Sequence, residues 1–218
     1  MSSNSIMHER ENMVELQLKR RNITDERILN AFLSVPRHEF VPEDHRDAAY
    51  SDNPIPIGYG QTISQPYVVA LMIQEIGVNE GDVVLDIGSG SGYSSAILSH
   101  LAEQVYGIER IEPLALRSER TLNSLGYDNV EIKCGDGFKG WPEKAPFDVI
   151  MIGAAPESIP EELKNHMAEG GRFIGPIGGF DQRLMILRKK DGNIEKEEGT
   201  MVRFVPMKHG TQTEEEAS

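Results

Sequence analysis

The chain is short of cysteine, of long apolar runs and of positive charge, and each shortage excludes something. Cys134 is the single cysteine in 218 residues, so no intrachain disulfide framework is possible, and a reducing compartment fits. Cys134 falls in a strand-like segment and is expected to be a small buried side chain. No apolar run approaches the roughly 18 residues of a membrane span, and Met1 to Met13 is polar, without an apolar leader. No membrane partner is therefore expected, and the location expected is cytoplasmic. Against 35 Asp and Glu there are 22 Lys and Arg, a net charge of −13. Such a surface repels a large polyanion, so no nucleic-acid partner is expected. The densest basic runs, Lys19-Arg20-Arg21 and Arg188-Lys189-Lys190, read as solvated faces. The six histidines are scattered without ligand spacing, which argues against a metal site. His38 is expected to pack or hydrogen-bond within its loop.

What is present organises around residues 83–92. Val83 to Ile87 is apolar apart from Asp86, as a strand covered on both faces should be. Glycines at 88, 90 and 92 then allow a sharp turn and a close ligand approach, and a helix starts near Tyr93. Strands at 83–87, 104–108, 130–134, 147–152 and from 172 alternate with helices at 93–101, 113–125 and 159–168. This alternation predicts a doubly wound, mostly parallel α/β sheet of Rossmann-like type. Segments 184–187, 194–197 and 201–205 read as closing strands, with Asp191-Gly192-Asn193 as a hairpin turn.

Ahead of this core lies a helical appendage. A helix is expected over 7–21 and another over 25–35, with Thr24 as N-cap and Pro36 as the stop. Residues 36–65 form a long loop that carries four prolines yet also Phe40, Tyr50, Ile55 and Ile57, and so reads as ordered and packed. Pro66 to Ile76 is a helix closed by Gly77. Residues 211–218 are acidic and apolar-poor, hence an expected frayed, flexible tail over 208–218. One domain is expected: 7–65 as appendage and substrate/cofactor loop, 66–207 as the core.

Ligands of such folds bind at the carboxyl ends of the strands. Those ends carry Asp86 to Gly88, Glu109, Asp136 and Gly153, so four loops converge on one crevice. A dinucleotide fingerprint would need glycine at position 93, which is Tyr93. Glu109 lies 17 residues beyond Gly92 and can accept both ribose hydroxyl protons. S-adenosylmethionine (AdoMet) fits better than NAD. It has no pyrophosphate, and Asp86 can favour its cationic groups directly or through water. Asp136 can accept from the adenine amino group, and the Gly137 N–H can donate to the ring.

The run Val84-Leu85-Asp86-Ile87-Gly88-Ser89-Gly90-Ser91-Gly92-Tyr93 resembles motif I of class I AdoMet-dependent methyltransferases. Gly60-Gln61-Thr62-Ile63-Ser64-Gln65-Pro66 resembles the more restrictive signature of protein-L-isoaspartate O-methyltransferases. Also similar are Val35 to Pro42, Ala49-Tyr50-Ser51-Asp52, Gly135-Asp136-Gly137 and Val202-Arg203-Phe204-Val205-Pro206. The resemblance runs over residues 10–207 in order. It departs at Met207, where leucine is commoner, a change that conserves volume. It implies methyl transfer from AdoMet to the α-carboxyl of L-isoaspartyl residues in damaged proteins and peptides, releasing S-adenosyl-L-homocysteine. The ester then closes to a succinimide.

In this resemblance Ser64 takes the catalytic position, and Gln61, Thr62 and Ile63 line the junction of cofactor and peptide. Gly88, Glu109, Asp136 and Gly137 bind AdoMet. With the crevice residues Asp86, Ser89, Gly90, Gly92, Arg110 and Gly153 they complete the expected cofactor set. A carboxylate is already a nucleophile at neutral pH, so the lack of a His/Cys/Asp triad is consistent with this chemistry. Ser64 could also serve as the N-cap of the helix at 66–76. A monomer is expected. A same-fold methyltransferase acting on RNA or a small molecule, and a non-catalytic AdoMet-binding module, remain alternatives.

Overall fold

The structure, a computed structural model, describes residues 3–217. The elements of the appendage and loop are α1 (Ser3–Asn12), α2 (Glu26–Ser34), the short strands β1 (Ile55–Gly58) and β2 (Gln61–Ile63), and α3 (Pro66–Ile76). The core follows with β3 (Val83–Ile87), α4 (Tyr93–Ser99), β4 (Gln104–Glu109), α5 (Glu112–Ser124), β5 (Val130–Cys134) and β6 (Phe147–Ile152). It ends with α6 (Glu161–Asn165), β7 (Met167–Ile177), β8 (Gln182–Lys190), β9 (Asn193–Val202) and the short α7 (Glu214–Ala217).

Seven strands form one sheet in the order β5-β4-β3-β6-β7-β8-β9. The pairs β5·β4, β4·β3, β3·β6 and β6·β7 are parallel, whereas β7·β8 and β8·β9 are antiparallel. Chain direction across the sheet therefore reverses between β3 and β6, and the ends of those two strands flank the switch point where ligands bind in this architecture. The near-continuous burial of β3 and β6 matches their runs of Val, Leu, Ile and Met, as strands covered on both faces require.

Several elements differ from their sequence expectation. The first helix continues past Asn12 as a π-helical stretch, Met13–Leu18, and a 3-10 turn, Lys19–Arg21, which turns Met13, Val14 and Leu18 inward. The N-cap of α2 is Asp25, not Thr24: its carboxylate accepts the Arg27 N–H, while the Thr24 N–H donates to Gln74 Oε1 at 2.8 Å. The helix expected over 159–168 is limited to α6, because residues from Met167 onward pair with β6 and become strand. The two short closing strands are one long strand, β9, turned at Asp191 and Gly192, which both have positive φ. Residues 203–212 leave the sheet and run across its carboxyl edge.

Cys134 is exposed rather than buried: it shares a face with the buried Ile132, but it is the last residue of β5, the strand at the sheet's edge, where that face is no longer covered. The basic turn at 19–21 is not simply solvated either. Arg21 pairs with Asp52 at 2.7 Å and lies over the Tyr67 ring.

The appendage and the sheet share one hydrophobic cluster, in which Met13, Leu18, Ile28 and Phe32 sit with Ile73, Val84 and Tyr93. Phe32 meets the Tyr93 ring edge-on, with centroids 6.0 Å apart, and so joins α2 to the helix that follows the glycine turn. Phe32→Ala is expected to cost about 3–5 kcal/mol and to leave a single unfolding transition in urea. An early, separate transition of the appendage would contradict its place in the common core.

Candidate active site

Backbone hydrogen bonds lace the strand ends together. The Gly153 N–H, just past β6, donates to Ile87 O at 2.7 Å, and the Gly88 N–H donates to Ile108 O at 2.8 Å. A Cβ on Gly153 would lie 3.0 Å from Gly88 O, so the approach needs glycine. Over this floor stands the β1–β2 hairpin. Arg117 Nη2, from α5, donates to Ile57 O at 2.5 Å and holds the hairpin from one side.

Three connected spaces result. The first, of about 600 Å³, is walled by Gln61, Gly88, Glu109, Arg110, Gly137 and the segment Val205 to Lys208. The second, of about 480 Å³, lies under Ile63 and Ser64 and reaches Ser89, Ser91 and Ser94. The third is an open groove between α3, the loop at 179–182 and the segment 200–206. Thr62 and Gly153 border all three, and Ser64 borders the second and the groove.

Glu109 is buried in the wall of the first space. Its Oε2 accepts the Gly90 N–H at 3.0 Å and its Oε1 accepts the Ile111 N–H at 2.9 Å. Burial pushes its carboxyl above the ordinary range, against the pull of these two bonds. Each oxygen keeps a second lone pair for a hydroxyl donor. Ser89 is buried in the second space, and its hydroxyl has no partner among the described residues.

Ser64 is held through its backbone. Arg37 is wholly buried, and its Nη2 donates to Ser64 O at 2.7 Å while its Nε donates to Ala49 O at 2.8 Å. The guanidinium lies 4.6 Å from the Tyr93 ring centroid. Ser64 does not cap α3: the N-cap is Gln65, with no side-chain cap bond. Arg37 gives no local signal of this role in the sequence, because its partners are carbonyls 12 and 27 residues away.

Three expected cofactor contacts sit elsewhere. Asp86 borders none of the three spaces. It is sealed behind α4, where Oδ2 accepts the hydroxyls of Ser94 at 2.7 Å and Ser95 at 2.6 Å, and burial pushes its carboxyl up. It braces the first turn of α4, and Ser94 carries that bracing to the second space. Gly92 is also outside: a Cβ there would meet Leu122 and Ser118 of α5, so it serves helix packing. The Asp136 carboxylate stands just beyond the wall, accepting the Phe138 N–H and the Gly210 N–H, both at 2.9 Å. Its neighbour Gly137 does reach the first space. His38, away from all three spaces, hydrogen-bonds the Tyr50 hydroxyl at 2.8 Å.

The expected frayed tail is tied down instead. Beyond β9 the chain exchanges hydrogen bonds with Ala155 through Val205 O and Met207 N, each at 2.8 Å. Farther on, Gln212 N donates to Arg110 O at 2.8 Å, and Arg110 Nη1 donates to Gln212 Oε1 at 2.8 Å. This strap forms the outer wall of the first space. Acidic composition alone did not reveal it, because the anchoring atoms are mostly backbone.

A family model described as Protein-L-isoaspartate(D-aspartate) O-methyltransferase (PCMT) matches residues 8–212. The chain belongs to this family. It is 48% identical to the protein-L-isoaspartate O-methyltransferase of Synechococcus sp., over 94% of this chain and 88% of that protein. It is 50% identical to that of Opitutus terrae, over 91% and 86%. A solved structure from Plasmodium falciparum, described as a protein-L-isoaspartate O-methyltransferase in complex with S-adenosyl-L-homocysteine, superposes with a TM-score of 0.80. That pair is 31% identical and covers 90% of this chain and 97% of the other. The laced strand ends, the hairpin and the strap therefore belong to an isoaspartate O-methyltransferase.

A buried carboxyl whose folded pKa is raised favours folding when protonated. Stability from Glu109 is thus greatest near the unfolded carboxylate range, about pH 4, and falls as pH rises through the raised value. Glu109→Gln removes this term. Its unfolding free energy is expected to fall less between pH 4 and 7 than that of the parent chain in urea titrations. An equal fall would contradict the burial penalty assigned to Glu109.

Proposed function

We propose that this chain transfers the methyl group of AdoMet to the α-carboxylate of L-isoaspartyl residues in damaged proteins and peptides. The observation that carries this reading is the position of Ser64 where the second space opens into the groove. AdoMet, when bound, supplies an electrophilic methyl on a sulfonium. The chain's own residues suit it. The first space offers the Glu109 carboxylate for hydroxyl donors. Gly137 leaves no side chain in that wall, where a Cβ would come within 2.5 Å of Ile87 Cγ2. The unpartnered Ser89 hydroxyl serves the polar end of the donor from the second space.

The acceptor carboxylate needs no general base. The chain has to align it and keep water from the methyl group, and alignment supplies roughly 7–11 kcal/mol in well-oriented reactions. Ser64 donates a hydrogen bond to one carboxylate oxygen and fixes its direction. The N-terminus of α3, uncapped by any side chain, adds positive potential beside it. The wholly buried Arg37 holds the Ser64 carbonyl and keeps the hydroxyl from drifting. An acidic chain thereby receives an acidic substrate through local donors. The methyl ester formed leaves the groove and closes to a succinimide. A monomer acting in the cytoplasm suits this role, since residues of a single chain supply the lining of all three spaces and the single thiol fits a reducing compartment.

An isoaspartyl peptide is expected to gain one methyl ester from labelled AdoMet, and the matching aspartyl peptide none. Equal methylation of both, or of neither, would overturn the reading. Loss of one charge-assisted hydrogen bond is worth about 1.5–3 kcal/mol, so Ser64→Ala is expected to lower kcat roughly tenfold or more. The AdoMet Kd should stay within about twofold. Unchanged kcat with weakened AdoMet binding would remove Ser64 from the acceptor site.

A further inference from the structure

The groove beside Ser64 has an unusual charge. Its walls include Arg21, Tyr67, Phe180, Met201 and Arg203, and no Asp or Glu lines it among the described residues. The chain as a whole carries 35 such residues in 218. A carboxylate-free groove with two arginines on so acidic a protein is a local inversion of sign, which favours an anionic ligand in that groove.

The two arginines differ. Arg21 is engaged, paired with Asp52 at 2.7 Å and stacked on the Tyr67 ring. Arg203 is exposed and has no hydrogen bond or ion pair among the described residues. Its backbone, by contrast, is fixed. The next residue, Phe204, donates its N–H to Gln182 Oε1 at 2.7 Å and accepts from Gln182 Nε2 at 3.2 Å. Two residues on, Val205 O accepts the Ala155 N–H at 2.8 Å. A free guanidinium thus stands on a rigid segment, over a groove that holds no carboxylate of its own.

Resting on the function proposed above, we infer that Arg203 is a specificity-determining residue. It pairs with an acidic side chain flanking the isoaspartyl residue, so the chain acts preferentially on damage sites in acidic segments. Phe180, 91% exposed at the rim, offers apolar contact to the same peptide without discriminating charge. Exposed ion pairs are weak, at about 0.2–1 kcal/mol, so the preference should be a few-fold and should shrink with salt.

The test uses the full chain and isoaspartyl peptides bearing Glu, Gln or Lys at each of the two positions on either side of the isoaspartyl residue. At low salt the unmodified chain is expected to favour Glu over Lys at one or more positions, by about three- to fivefold in kcat/KM and chiefly through KM. Added salt should flatten the ranking. Arg203→Glu should reverse it in favour of Lys, Arg203→Gln should abolish it, and the AdoMet Kd should hold in both. No ranking, a ranking that favours Lys, or an Arg203→Glu enzyme that still favours Glu would overturn the inference while methylation of isoaspartyl peptides stands. Failure of every isoaspartyl peptide to be methylated would overturn the proposed function and this inference with it.

Discussion

The backbone contact between the ends of β3 and β6 sets the position of everything around it. Gly153 donates to Ile87 O at 2.7 Å, and its Cα faces Gly88 O so closely that a Cβ would lie 3.0 Å from that oxygen. The order of successive strands reverses at this parallel pair, so the two loops part there and leave room above the sheet. Because Gly153 borders all three spaces, a small shift at this contact would move all of them together. The floor is therefore made of backbone, which holds its place better than long side chains.

The ceiling is attached at separate points. Arg37 reaches up from the appendage to Ser64 O, and Arg117 reaches from α5 to Ile57 O. Both are arginines that bind carbonyls, and burial lowers the pKa of each without a carboxylate hydrogen-bonded to it. Such groups hold the β1–β2 hairpin with directional bonds while leaving net positive potential near an anionic substrate. The strap from Val205 to Gln212 closes the other side through Ala155, Asp136 and Arg110. Alignment chemistry needs this kind of enclosure: no base is required, yet the reacting groups have to be fixed and dry.

The centre of the sheet was legible because β3 and β6 are covered on both faces and so read as apolar blocks, each followed by a glycine. Helix α3 was legible because Pro66 starts it and Gly77 ends it. Glu109 could be placed because a strand end fixes where its side chain points. Asp86 could not, because Ser94 and Ser95 claim its carboxylate from the following helix, and nothing in β3 announces that competition. Gly92 follows Gly88 and Gly90, which line the first two spaces, but faces α5, a packing decision made by Ser118 and Leu122 far along the chain. Arg37, the strap anchors at Gly210 and Gln212, and the exposure of Cys134 all depend on long-range partners or on which strand lies at the edge. Periodicity carries none of that information.

A crystal structure of the chain with S-adenosyl-L-homocysteine and an isoaspartyl peptide would test the central claim most directly. The peptide's free carboxylate is expected at the junction of Thr62, Ser64 and Gly153, within hydrogen-bonding distance of Ser64 Oγ, with one oxygen facing the sulfur. A carboxylate bound elsewhere in the groove, or a Ser64 hydroxyl turned away from it, would contradict catalysis by alignment at this junction.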